Sequence, residues 1–370
     1  MANQQRVIQL FTELVHIDNP SKQEQQMATR VKQELDRLGI SYREDDAGAK
    51  IGGNAGNLYA YVDGEIDASP ILLSAHLDSV DPATHKSAEI HEDGTITSDG
   101  STVLGADDLS GVAAILEAVI AVQESGLPHR PFELLFDVAE ETYCEGIQQF
   151  DFASLQSREA YIFDLTGAVG TAAYQAPAII SFQADFYGRG AHAAFSPEEG
   201  LHAIRAAANA VLAVACGHVG DTTVNIGTIQ GGSADNVVPA FCRVTGEVRG
   251  FDNASVQRQL SEIEKQMQAA VLPDGIRLEF TTNVLCLAYS VPKEDPVAVR
   301  FQNACLEAKL SPELIITYGG SDNNHFYHHG IRGLVVASGM NNCHSCKEYS
   351  HVEEITRAAV LAERLILSSE

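Results

Sequence analysis

No run of about 18 apolar residues occurs in this 370-residue chain, so no membrane-spanning helix is expected. Positive charge is scarce. The chain has 24 Lys and Arg against 50 Asp and Glu, a net charge of −26. A nucleic-acid partner needs a basic face, and that class is set aside. The acidic excess favours solubility and is far larger than a handful of metal ligands would produce. Cysteine is sparse, odd in number and scattered over positions 144, 216, 242, 286, 305, 343 and 346. That pattern excludes a disulfide framework and points to a reducing compartment. Cys343 and Cys346 form a single CxxC around His344. Without a second pair a structural zinc site lacks ligands, and the two read as free thiols beside a functional loop. There is no GxSxG elbow, which leaves a serine hydrolase without support. No repeat or low-complexity segment is evident. The opening MANQQRVIQLFTELV reads as an amphipathic helix rather than a signal peptide, so the cytoplasm is the expected location.

A chain of this length is expected to divide into two domains. Residues 5–39 read as a helix pair, with Ser21 as an N-cap. ILLSAHL at 71–77, FELLFDV at 132–138 and GLVVAS at 333–338 are nearly continuous apolar runs, as expected for strands buried on both faces. A further short strand is read at 161–163. Apolar residues at 112, 115, 116, 119 and 122 have helical spacing. From Ile179 to Leu287 the order becomes strand, helix, strand, strand, helix, strand, a split βαβ sandwich whose second helix is capped by Asn253 or Ser255. The fold class is therefore α/β: a mixed, mostly parallel sheet flanked by helices, with an inserted α+β ferredoxin-like lid or dimerisation domain. The expected boundaries are 1–178 with 288–370 for the catalytic, metal-binding domain and 179–287 for the insertion.

Ligands of an open parallel sheet bind beyond the carboxyl ends of its strands. His76 and Asp78 end one strand, Glu140 and Glu141 follow a second, Asp164 a third, and His344 lies just past a fourth; Asp107 sits where a loop meets a helix. A single histidine is ordinarily a satisfied core residue, and an adjacent Glu pair ordinarily a solvated loop. Four such segments after four buried strands form a pattern that packing alone does not require. Crowded carboxylates repel one another and take up protons unless a cation is present. A dinuclear metal site is the expectation.

These segments, SAHLDSV, GADD at 105–108, AEET at 139–142, FDLTG at 163–167, GRGAHAAFSPEEG at 188–200, GGSADNVVP at 231–239, GGSDNN at 319–324, and His344 with Glu348 four residues on, resemble the co-catalytic zinc peptidase and deacylase family that includes carboxypeptidase G, succinyl-diaminopimelate desuccinylase and peptidase T. GADD and FDLTG are most similar to the peptidase T-like branch. The resemblance implies that Asp107 bridges two metals. His76 and Asp164 would complete one of them, and Glu141 and His344 the other. Glu140 would be the general base and Asp78 the carboxylate that orients the His76 ring. His192 would stabilise the oxyanion, in dimeric members from the other subunit. Asn236 and Arg249 would grip a substrate carbonyl or carboxylate. His344 is preferred to His351 as the last ligand, because the family's late His precedes a Glu by four residues, as His344 precedes Glu348, and His351 reads as opening the terminal helix. His325, His328 and His329 read as a solvated helix or loop, with substrate contact the alternative. One departure is Leu109, where relatives often carry Lys soon after the bridging Asp.

The expected function is metal-dependent hydrolysis of an amide bond in short peptides, as by a peptidase T-like aminopeptidase. An N-acyl amino acid deacylase and a non-catalytic metal-retaining binding protein are the alternatives. Retention of Glu140 speaks against the last, since metal binding alone needs no base. The expected metals are two Zn2+, with Mn2+ or Co2+ tolerated by the same donors. A homodimer is expected.

Overall fold

The computed structural model describes residues 1–272 and 275–369. They form two compact units, Met1–Gln175 with the chain from Ser290 onward, and Ala176–Tyr289.

The larger unit is built on a twisted sheet in which Tyr42–Glu44, Leu58–Val62, Phe132–Asp137, Ile71–His76, Glu159–Thr166 and Arg332–Met340 lie in that order. The last four are mutually parallel, and the first two join antiparallel at one side. Ile71–His76 and Phe132–Asp137 are buried along their whole length, which is why they show no alternation of apolar and polar residues. The helix Ala106–Ser125 packs against the strands Ile71–His76 and Arg332–Met340 and between the helices Gln4–Val15 and Val352–Leu367. Every residue from Ala106 to Val122 is buried, because a helix enclosed on all sides must be apolar all round rather than along one stripe. Its one charged residue in that stretch beyond Asp108 is Glu117, which accepts hydrogen bonds from the Asn3 amide (2.6 Å) and from Arg6 Nε (2.6 Å) and Nη2 (2.9 Å). The segment around Glu92–Gly94 forms a hairpin, Glu89–Ile90 pairing antiparallel with Thr95–Thr97.

The smaller unit is a five-stranded antiparallel sheet in the order Gly217–Val219, Thr222–Gly231, Phe241–Gly250, Ala178–Tyr187, Arg277–Cys286. The helices Ala203–Ala213 and Asn253–Val271 pack against it. Ala178, Ile180, Phe182, Ala184 and Phe186 alternate along one strand to fill this core.

Two expected caps are not those observed. The second helix starts at Gln25, and Ser21 instead donates its hydroxyl to Asp78 Oδ2 at 2.6 Å. The helix Asn253–Val271 is capped by Asp252, whose carboxylate accepts from the Ser255 amide. In both cases the cap rule named the right neighbourhood, but a partner nearer in space or one residue earlier in sequence took the bond.

Candidate metal centre

Each site residue of the larger unit is held by an element whose ordinary geometry delivers it to the same edge. His76 is the last residue of its strand. Glu140 and Glu141 follow Asp137, the end of the neighbouring strand. Asp164 lies inside the strand Glu159–Thr166 rather than beyond it. His344 sits four residues past the strand Arg332–Met340. Asp107 opens the central helix with an extended backbone (φ −82°, ψ 100°), so its side chain is not bound to a helical position. Left-handed backbone at Ala139, Tyr143 and Cys144, and again at Asn342 and His344, is concentrated in the two loops carrying Glu140, Glu141 and His344. Non-glycine residues adopt that conformation only where the surroundings fix it.

The side chains converge. His76 Nε2 lies 3.1 Å from Asp107 Oδ1 and 3.8 Å from Asp164 Oδ1. His344 Nε2 lies 3.3 Å from Asp107 Oδ2 and 3.0 Å from Glu141 Oε2. Asp107 thus presents one oxygen to each imidazole. On the far side of the His76 ring, Nδ1 is 3.3 Å from Asp78 Oδ1 and 3.0 Å from the Asp78 carbonyl. Asp78 also accepts from the amides of Glu140 (3.0 Å) and Glu141 (3.2 Å). One buried carboxylate therefore holds the His76 ring and the Glu140–Glu141 backbone together. Asp108 faces away from the pair of imidazoles and caps locally, its Oδ2 accepting from the His76 amide and its Oδ1 from the Gly111 amide. Leu109 is fully buried.

The electrostatics are those of a crowded anionic site. Burial and then the charge of Asp164 push the Glu140 carboxyl well above its usual range. Burial and then Asp107 do the same to Asp164. Burial raises Glu141 as well, against the pull of His344. Asp107 moves the other way: its burial is outweighed by hydrogen bonds from His344 and His76. Hydrogen bonds to Asp107 and Glu141 raise His344 to about 10. Burial disfavours a charged His76, but Asp107 and Asp78 outweigh it and hold its pKa well above 6.5. Three carboxyls forced toward neutrality beside two imidazoles forced toward charge show how strongly this cluster attracts positive charge. Glu141 Oε1 is buried without a hydrogen-bond partner, a donor atom free for a ligand.

A cavity of about 590 Å3 opens over Asp107, Glu140, Glu141, Asp164 and His344. Its other walls are residues 165–167 and 340–343, at the ends of the strands Glu159–Thr166 and Arg332–Met340, with Thr317, Gly319 and Gly320, and no Lys or Arg is among the residues that line it.

Several supporting residues were not singled out from sequence. Glu24 is fully buried behind the site and accepts from the Ala139 amide at 3.1 Å. Cys144 lies against Glu140, Sγ to Oε1 3.3 Å. Asp137 and Asp322 are buried next to each other, and burial followed by Asp322 pushes the Asp137 carboxyl up. The one signal for Asp137 was an acidic residue inside an otherwise apolar run. Of the alternative histidines, His351 is the N-cap residue of the helix Val352–Leu367, His329 stacks on Phe152 with ring centroids 3.8 Å apart, and His325 is half-buried with Nε2 lacking a hydrogen-bond partner among the described residues, not solvated as expected.

The three expected residues of the smaller unit are not gathered in one place. His192 and Asn236 lie on one extension of the sheet, where His192 bridges Val237 and the Ala193 amide donates to the Asn236 carbonyl at 2.9 Å. Both are exposed. His192 Nδ1 accepts from the amides of Ala194 and Phe195, each at 3.2 Å, and its ring stacks on Phe195 at 4.3 Å. Two donors on Nδ1 leave the proton on Nε2. Arg249 is at the opposite end of the strand Phe241–Gly250, roughly 25 Å along, and its Nε donates to Glu247 Oε1 at 2.7 Å.

Comparison with known proteins agrees with this geometry. Residues 176–275 match the model of a peptidase dimerisation domain, and residues 57–204 that of peptidase family M28. The chain is 30% identical to the uncharacterised protein YqjE of Bacillus subtilis (strain 168), over 99% of both chains. It is 30% identical to the crystal structure of aminopeptidase PepT from Bacillus cereus ATCC 10987, covering 99% of this chain and 98% of that one with a TM-score of 0.89. A tripeptidase from Staphylococcus aureus Mu50 is 29% identical over 99% and 98%, with a TM-score of 0.94.

Proposed function

Because this chain belongs to the co-catalytic metallopeptidase family that includes peptidase T, we propose that it is an aminopeptidase that cleaves short peptides, tripeptides among them, with two divalent metal ions. The observation that carries this reading is the placement of Asp107, with Oδ1 toward His76 Nε2 and Oδ2 toward His344 Nε2.

The donor set fits a metal pair. His76, Asp164 and one oxygen of Asp107 would hold the first ion; Glu141, His344 and the other oxygen of Asp107 the second. Mixed imidazole and carboxylate ligation suits Zn2+ and also accepts Mn2+ or Co2+. When bound, such a pair supplies Lewis acidity toward the scissile carbonyl and lowers the pKa of an attacking water.

The protein's own groups do the rest. Glu140, next to the ligand Glu141 but not itself needed to hold an ion, accepts the proton lost by the attacking water as the new C–O bond forms. It returns that proton to the amine nitrogen as the C–N bond breaks. Asp78 fixes the His76 ring through Nδ1 and, through the two amides, the Glu140–Glu141 turn. His192 carries its proton on Nε2 and so serves as a hydrogen-bond donor to the developing oxyanion, in a homodimer from the second copy. Asn236, beside it, would bind substrate. Arg249, whose Nε donates to Glu247, would do so as well.

Similarity to an aminopeptidase and a tripeptidase over nearly the whole chain favours peptides over N-acyl amino acids. All seven cysteines are free, which supports a cytoplasmic location. Among the described residues no helix is long and apolar enough to cross a membrane.

The test is a panel of di- and tripeptides with free and acetylated N-termini, together with N-acyl amino acids. Each is offered to metal-depleted protein before and after Zn2+, Mn2+ or Co2+. Metal-restored cleavage confined to free N-termini is expected. Cleavage of the acylated compounds alone would move the assignment to a deacylase.

A further inference from the structure

We propose that Glu348 is a positioning residue that sets the spacing between Asp107 and His344 and thereby the affinity of the ion those two residues share. The inference rests on the two-ion reading above.

Glu348 is 2% exposed. Its Oε2 accepts from the Gly105 amide at 2.7 Å and its Oε1 from the Asp107 amide at 2.8 Å. Both oxygens of one buried carboxylate are thus spent on the turn that presents Asp107. The other end of the same residue is tied to His344. Asn341 and Tyr349 exchange two backbone hydrogen bonds of 3.0 Å, the Glu348 amide donates to the Ser345 carbonyl at 3.0 Å, and Ser345 Oγ donates to the Asn342 carbonyl at 2.8 Å. His344 stands at the tip of this closed loop in a left-handed conformation (φ 60°). The Glu348 carboxylate therefore joins the loop bearing His344 to the turn bearing Asp107, across more than 240 residues of sequence. On its other side, Asp107 is steadied by Ser79 Oγ, which donates to the Asp107 carbonyl at 3.3 Å. Asn19 in turn donates to Ser79 Oγ at 3.1 Å, and buried Lys86 donates to Asn19 Oδ1. The Asp107 peptide groups are held from both directions, but only the Glu348 contact carries the loop of the second imidazole with it.

A plain structural reading is available: Glu348 accepts from amides at the start of the helix Ala106–Ser125, and a carboxylate there also stabilises the helix. The two readings differ in what a substitution does to the two ions. A cap that only stabilises the fold would weaken neither ion selectively. A residue that sets the Asp107–His344 spacing would weaken the ion held by Glu141, His344 and Asp107, and affect the one held by His76 and Asp164 much less.

Glu348→Gln keeps the shape, but one of its two terminal atoms becomes a donor facing an amide donor. Zn2+ and Co2+ titrations against a chromophoric chelator, with thermal melting of the metal-free protein to confirm folding, give the two affinities separately. The expected result is a fall of about 10- to 100-fold for one ion, the size usual for losing a group that orients metal ligands, with the other largely retained. Glu348→Asp, which keeps the charge but shortens the reach, is read in the same titration and is expected to weaken the same ion. Unchanged affinities, or equal weakening of both ions, would overturn the proposal. Fewer than two ions on the unsubstituted protein would instead overturn the two-ion reading on which it rests.

Discussion

The residues assigned to chemistry in the larger unit, His344 excepted, are buried or half-buried, whereas His192 and Asn236 of the smaller unit are exposed. His76, Asp78 and Asp107 are buried, linked by hydrogen bonds to one another and to the amides of Glu140 and Glu141. His192 and Asn236 are exposed on a sheet extension, and His192 is oriented only by its own turn. The first group is fixed by strands that must end where they do for the core to pack. The second is pre-set in tautomer and ring direction but needs a further surface to act on. On the proposed reading, metal would be bound within one folded unit, whereas completion of the transition state would depend on a residue that the smaller unit presents at its surface.

The sharpest way to break this contrast is to remove the base without touching a ligand. Glu140→Gln is expected to lower turnover by about 10²- to 10⁴-fold while metal content, measured by elemental analysis, stays at the unsubstituted level. Loss of metal along with turnover would show that Glu140 is a ligand and that the division of roles between Glu140 and Glu141 is wrong.

On the smaller unit, His192→Ala is expected to reduce kcat by about 10²- to 10³-fold with little change in metal affinity, the size of effect seen when an oxyanion donor is removed. A change in KM alone would reduce His192 to a substrate contact. Mixing inactive Glu140→Gln and His192→Ala proteins adds a second readout. If His192 acts across a dimer, subunit exchange restores part of the activity, and a fully active monomer by light scattering would exclude that arrangement. Arg249→Ala, whose guanidinium is already engaged by Glu247, is expected to change kcat/KM by less than Asn236→Ala in the same assay.

The larger unit's site also predicts a pH dependence. In the metal-free fold Glu24 and Glu348 are raised from 4.5 to about 7, mainly by burial, and His344 is raised from 6.5 to about 10 by hydrogen bonds to Asp107 and Glu141. A raised pKa means that the folded state holds the proton more tightly than the unfolded state. Each contribution is then complete below the unfolded value and is lost as pH rises through the folded one. The Tm of metal-depleted protein should accordingly fall between about pH 4.5 and pH 10, and added metal should stabilise more at the alkaline end. Thermal melts across that range check it; a metal-free Tm that rises with pH would contradict the assigned shifts.

The strands were legible because burial on both faces leaves an unbroken apolar run, as in ILLSAHL and FELLFDV, and the terminal helix because its apolar stripe and acidic first turn both survive in the sequence. The acidic and histidine segments were legible because each interrupts or ends such a run. Asp164 fell inside its strand because a parallel strand can continue past the residue it presents. Contacts made only in three dimensions were not legible. Ser21 reaches Asp78 rather than its own helix, Cys144 reaches Glu140 around a left-handed turn, and Glu348 reaches Gly105 and Asp107 across most of the chain. None of these follows from periodicity, since each depends on where a loop closes. Arg249 shows the converse: its residue type suits carboxylate binding, yet the register places it at the far end of its strand from His192.

The most direct measurement is metal stoichiometry against activity. Metal-depleted protein is titrated with Zn2+, bound ion is counted per chain, and hydrolysis of a free tripeptide is followed at each point. Two ions per chain are predicted, with full activity reached only as the second site fills and with Asp107→Asn abolishing both binding and turnover. Full activity in the metal-depleted protein, or two ions retained by Asp107→Asn, would contradict the two-ion reading.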